Sequence, residues 1–143
     1  MKNAIDNYSR MAILLVCAVK IGYYPGKPEE DPVDASTRKW IEKLKRKKPD
    51  LYSIAMKVLK KMEESDSLQP FIDQGIVAQL SNPLWEIKIP KKKAGGVVRL
   101  YFCKVPHREG YIHILEHEIK NGRTNPDSNI LKSARKRYKE LFR

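Results

Sequence analysis

Three short runs between Leu84 and Lys120 alternate their side chains with a period of two, and that period constrains the fold of this chain more than any other feature. Trp85, Ile87 and Ile89 alternate with Glu86 and Lys88. Val97, Arg99, Tyr101 and Cys103 alternate with Val98, Leu100, Phe102 and Lys104. Tyr111, His113, Leu115, His117 and Ile119 alternate with Ile112, Ile114, Glu116 and Glu118. A strand shows successive side chains to opposite faces, so each run predicts one strand. Residues 90–96 and 106–110 are connections short enough for antiparallel hairpins. Asn121-Gly122 closes the third run.

Upstream the period is helical. Asp34 or Ser36 caps a helix whose apolar positions are Trp40, Ile41 and Leu44, and Lys45 to Lys48 with Pro49 end it. Leu51, Ile54, Ala55, Val58, Leu59 and Met62 then follow the spacing of a second amphipathic helix, with Lys57, Lys60, Lys61, Glu63 and Glu64 on its other side. The two predict a helical hairpin. Residues 65–83 read as an irregular connector with a helical turn near Phe71. Asn125-Pro126-Asp127-Ser128 starts a last helix with Ile130, Leu131, Ala134, Tyr138 and Leu141 as its apolar stripe.

The apolar run from Met11 to Val19 falls short of the ~20 residues a membrane helix needs. Lys20 interrupts it and no small-x-small cleavage site follows, so it reads as a buried first strand leading to the Tyr23–Gly26 turn rather than a signal peptide. The order strand, two helices, three strands, helix predicts an α+β fold. Residues 1–10 read as a flexible leader and 11–143 as a single domain. Two cysteines, Cys17 and Cys103, are too few for a disulfide framework and lack metal-ligand spacing, which makes a reducing cytoplasm the expected compartment.

Lys and Arg number 29 against 17 Asp and Glu, a net charge of +12 that favours a polyanionic partner. Residues 1–84 carry 14 basic and 11 acidic side chains, residues 85–143 carry 15 and 6. The excess thus accompanies the sheet and the last helix, where an anionic ligand is expected. Strands bearing Arg99, His113 and His117 among Tyr and Phe suit a face that handles phosphate.

Tyr24 to Lys27 before a helix, Leu84-Trp85-Glu86-Ile87-Lys88, Arg99-Leu100-Tyr101-Phe102, Leu115-Glu116-His117-Glu118-Ile119-Lys120 and the helix entry from Thr124 to Ala134 occur in that order. Over about residues 15–140 they resemble the RelE/ParE superfamily of toxins, in particular its phage-derived HigB-like group. Glu116 and Glu118 depart from that pattern, which carries Leu and a small residue there. The resemblance implies a RelE-like fold, a helical hairpin on a small twisted antiparallel sheet whose concave basic face carries the site, with a C-terminal helix. It further implies a type II toxin: a metal-independent, cofactor-free endoribonuclease that cuts messenger RNA on the ribosome and is restrained by an antitoxin, expected to be of helix-turn-helix type. Such chemistry is attack of a ribose 2′-hydroxyl on the adjacent phosphate, which needs a base, an acid and cations.

On that resemblance Arg99 and Lys88 stabilise the phosphate and His117 transfers the proton, with His113 or Tyr111 assisting. Lys91, Lys92, Lys93, Tyr101, Tyr111 and Arg123 are the expected RNA contacts. Each has a structural alternative. Arg99 can pair with Glu86 on the neighbouring strand, and His117 can be a half-buried strand histidine bonded to Glu118 or to backbone. The lysine run can be a solvated loop, Tyr101 and Tyr111 half-exposed sheet residues, and Arg123, Arg135 and Arg137 a solvated face. His107 reads as a loop residue, and Trp85 and Cys103 as core. Two rival functions stay open: a ParE-like or degenerate member that binds a protein such as gyrase, and a basic nucleic-acid-binding module without catalysis.

Overall fold

Alternation at period two becomes strand in every predicted run. The computed structural model describes residues 19–26, 39–89, 97–120 and 125–142, and of Trp40 the backbone alone. Its elements run β1 (Lys20–Tyr23), α1 (Lys39–Lys47), α2 (Pro49–Glu63), α3 (Gln69–Asp73), β2 (Val77–Gln79), β3 (Leu84–Ile89), β4 (Val97–Lys104), β5 (Tyr111–Lys120) and α4 (Ser128–Leu141). The leader, most of the run from Met11, Lys91, Lys92, Lys93 and Arg123 lie outside the described residues. No described helix is long and apolar enough to cross a membrane.

Pro49 opens α2 at a position where its missing N–H is no loss. Leu51, Ala55, Leu59 and Met62 are the buried stripe of that helix. Lys45, Arg46 and Lys47 crowd the last turn of α1, where cations complement the helix dipole. The turn expected near Phe71 is α3, with Phe71 buried. Gly75 follows at a φ of 76°, a left-handed conformation that only glycine adopts freely, and releases the chain into β2.

The five strands form one sheet in the order β1-β5-β4-β3-β2. The pairs β2/β3, β3/β4 and β4/β5 are antiparallel, as hairpin-length connections require. β1 instead lies parallel to β5, with Ile21 opposite Ile112 and Tyr23 opposite Ile114. The expected all-antiparallel sheet is therefore a mixed one. Three helices and three strands separate β1 from β5 among the described residues, so no tight turn imposes antiparallel pairing on that edge. The strand β2 is an addition to the predicted elements.

Helices cover both faces. The hairpin of α1 and α2 buries Ile41, Leu44, Leu51, Ala55, Leu59 and Met62 against Ile87, Ile89, Val98, Leu100, Phe102 and Ile114. On the opposite face Ala134, with Ile130, Leu131 and Tyr138 beside it, packs on Leu84, Tyr101, Cys103 and Leu115. The central strand β4 is consequently buried on both sides along most of its length.

Candidate functional site

One irregularity in strand pairing decides which side chains meet. Along β4 and β5, Arg99 stands opposite Glu118, Leu100 opposite His117 and Tyr101 opposite Glu116, but Phe102 then pairs with Ile114. Leu115 is the extra residue of a β-bulge, and a bulge reverses the parity of the strand beyond it. Unbroken alternation places His113 and His117 on one face. With the bulge, His113, Leu115, Glu116 and Glu118 turn toward α4, and His117 and Ile119 turn toward α1.

The α4 side carries a ladder of buried charges. Lys88, Arg99 and Glu118 lie side by side on β3, β4 and β5, and Glu86, Tyr101 and Glu116 form the next row. Arg99 Nη1 is 3.9 Å from Glu86 Oε2, with side-chain exposures of 8% and 7%. The structural alternative for Arg99 is thus realised. In this burial the pair is a strong constraint, because removing one partner leaves a charge in a poor solvent. The Tyr101 hydroxyl donates a hydrogen bond to Glu118. Burial, and next that carboxylate, push its pKa far above the ordinary phenol value. A fully buried Tyr101 is no stacking platform for a base.

Glu116 and Glu118 dock the last helix. Ser133 Oγ donates to Glu116 Oε2 at 2.8 Å, and Arg137 Nη1 lies 3.2 Å from the same oxygen. The backbone N–H of Asp127 donates to Glu118 Oε1 at 3.4 Å, and Lys120 Nζ is 3.8 Å from that atom. Lys88 Nζ sits 4.0 Å from Glu86 Oε1 with 41% of its side chain exposed, so of the ladder's cations it is the one that reaches outward.

His113 is buried, edge-on to Phe142 with ring centroids 6.0 Å apart. It stands against Gly22, where a Cβ would lie 2.5 Å from its Nδ1. This is a packing position. Tyr111 lies at the other end of β5, under Arg108 at 5.3 Å and Lys20 at 5.7 Å. His107 is an exposed turn residue with φ 63°. Trp85 packs against the hairpin-side core and stacks on Phe102, with Lys104 Nζ 4.4 Å over its ring. Cys103 is buried, and burial pushes its thiol up to about 12, which leaves it protonated and inert.

His117 occupies different ground. It borders a cavity of about 220 Å³ between the end of α1 and the ends of β4 and β5. Among the described residues Leu44, Val98 and Ile119 give it an apolar wall, and Lys43, Lys47 and Lys48 also line it. The imidazole keeps 36% of its side chain exposed, with Nδ1 3.9 Å from Glu116 Oε1. Burial lowers its pKa, Glu116 opposes that shift, and Arg137 and Lys43 reinforce it. A neutral imidazole among cations accepts protons at neutral pH. Among the described residues no three His, Cys, Asp or Glu side chains are grouped to hold a metal ion.

In the sequence Lys47 and Lys48 read as part of a helix end and Lys43 has no assigned role, so none of the three is expected in a site. The available signal was the i, i+4 spacing of Lys43 and Lys47, which sets both on one side of the helix. A larger cavity of about 720 Å³ opens at the far end of the sheet, between the α2–α3 connection and the β4–β5 turn. Of the expected site residues it touches Tyr111 alone. No family model, no curated protein and no solved structure matches this chain.

Proposed function

We propose that this chain is a RelE-like toxin that cleaves messenger RNA, with the basic end of its sheet as the substrate surface and His117 as the proton-transfer group. One observation carries the reading. His117 is half-exposed, is biased toward its neutral form, and borders a cavity with Lys43, Lys47 and Lys48 on the α1 face of the sheet, whereas Lys88 and Arg99 lie on the α4 face. Neutral imidazole removes the 2′ proton, the 2′ oxygen bonds to phosphorus, and the bond to the 5′ oxygen breaks with that oxygen taking a proton from solvent water. The imidazolium later returns its own proton to solvent. The products are a 2′,3′-cyclic phosphate and a free 5′-hydroxyl. Lys43, Lys47 and Lys48, which border the same cavity as His117, stabilise the charge on the pentavalent phosphorus.

In this reading Arg99 and Lys88, expected from the resemblance to hold the phosphate, instead belong to the α4 face of the sheet, and Arg99 is structural. It holds Glu86, which in turn sits beside Lys88. The order of elements, with a helical hairpin on one face of the sheet and a C-terminal helix on the other, accords with the RelE-like fold. The ribosome and an antitoxin of helix-turn-helix type are the partners that go with it. The burial of Arg99 favours a second reading, binding of nucleic acid or of a protein target without cleavage. Induced expression, with transcript 5′ ends mapped in cells and on purified ribosomes, separates the two. New 5′-hydroxyl ends together with growth arrest support cleavage, and growth arrest with intact transcripts overturns it.

A further inference from the structure

The cavity beside His117 has a composition that the chemistry of proton transfer does not require. Among the described residues its lining combines an apolar patch with ammonium groups and the His117 ring. Ile119 is 43% exposed, the one large apolar side chain among the described residues left so open. Its neighbours Val98 and Leu44 are buried in the core, so the patch has a rigid floor. Lys43, Lys47 and Lys48 are all exposed and free to swing over it.

We propose that this cavity is a nucleotide-recognition pocket, in which one unstacked base of a single-stranded RNA lies between Ile119 and the His117 ring while Lys43, Lys47 and Lys48 hold the flanking phosphates. The inference rests on the RNA reading above and adds the residues that seat the strand. A space of about 220 Å³ is below the usual size of a whole-ligand pocket and suits a single ring system. A peptide helix needs a long groove, whereas a base presents a flat apolar face with anions on either side. Imidazole is among the side chains on which splayed bases stack, and lysines neutralise the backbone without reading sequence. A base seated there brings its own 2′-hydroxyl or its neighbour's close to the imidazole, which links recognition to cleavage.

The test uses the full chain and a fluorescently labelled 2′-O-methyl RNA decamer, which cannot be cleaved, so that binding is read apart from catalysis. The triple variant Lys43→Gln, Lys47→Gln, Lys48→Gln is expected to weaken binding about tenfold and to reduce the salt slope by about 2. Ile119→Ala is expected to weaken it about fivefold with the slope unchanged, and to have no effect on an abasic decamer. Lys132→Gln, Lys136→Gln, Lys139→Gln, the same charge removed from exposed positions of α4, is expected to change affinity less than twofold. Equal losses from the two triple variants, or an Ile119→Ala protein that binds like wild type, overturn the pocket. If the pocket variants behave as expected but no transcript is cut, the pocket stands and the nuclease reading falls. If transcripts are cut and the variants bind normally, the reverse holds.

Discussion

Arg99 and Glu86 meet diagonally across adjacent strands with little of either side chain in water, so each offsets part of the other's burial. Arg99→Ala takes the guanidinium from the buried Glu86 carboxylate, leaving it the more exposed Lys88 ammonium at 4.0 Å, and is expected to cost about 3 kcal/mol in a urea melt. Pairing Arg99→Met with Glu86→Leu is expected to recover most of that loss, since apolar residues of similar volume replace such a pair at little cost. A double variant as unstable as the single one would mean the pair is not coupled. For His117 the native pKa is below the unfolded value of about 6.5. The unfolded chain therefore binds more protons in the interval between the two values, and stability falls as pH drops from about 6.5 through the native pKa. His117→Gln is expected to flatten that part of the profile, measured as melting temperature from pH 7.5 to 5. That Arg99 and Glu86 share a face was legible from alternation, because both lie on straight stretches of neighbouring strands. That His113 and His117 point to opposite faces was not, because it depends on the bulge at Leu115 between them in β5.

At the scale of elements, every helix with a clear apolar stripe and every alternating run was legible, and the exceptions have definite causes. β2 is three residues long, Val77-Ala78-Gln79, too short to show a period, and it exists because β3 offers it an edge. The parallel docking of β1 on β5 is a long-range pairing that no local pattern encodes. The bulge at Leu115 is likewise a property of two strands together. Glu116 and Glu118, which depart from the RelE-like pattern, gain a physical reason here: they receive Ser133, Arg137 and the Asp127 backbone and so fasten α4 to the sheet. The entry of that helix is capped by Asp127, whose side chain accepts from the N–H groups of Asn129 and Ile130 at 2.8 and 3.2 Å. Asp127→Ala is expected to cost about 1 kcal/mol and Asp127→Asn markedly less, read from chemical denaturation. Equal losses for both would point to a role for the Asp127 charge beyond capping.

Across the whole molecule, charge counted along the chain and charge counted in space give different answers. The second half holds most of the basic excess, which drew attention to β3, β4, β5 and α4. Yet α4 spends Arg137 on Glu116 and on the backbone of Leu115, and Arg99 is committed to Glu86. The accessible cations at the end of the sheet come in good part from α1, in the half of the chain nearer to neutrality. Only the folding of the hairpin onto the sheet brings Lys43, Lys47 and Lys48 beside His117. The candidate site therefore joins one residue that alternation and resemblance singled out with three that tertiary packing supplied.

The most direct measurement of the central claim is the single-turnover rate at which the protein cuts a ribosome-bound messenger, compared between wild type and His117→Ala. Because His117 is half-exposed, the variant is expected to stay folded, with a near-UV spectrum like that of wild type. As the proton-transfer group, its loss is expected to slow cleavage by about 10²- to 10⁴-fold at neutral pH. A folded His117→Ala protein that cuts at the wild-type rate would contradict the account.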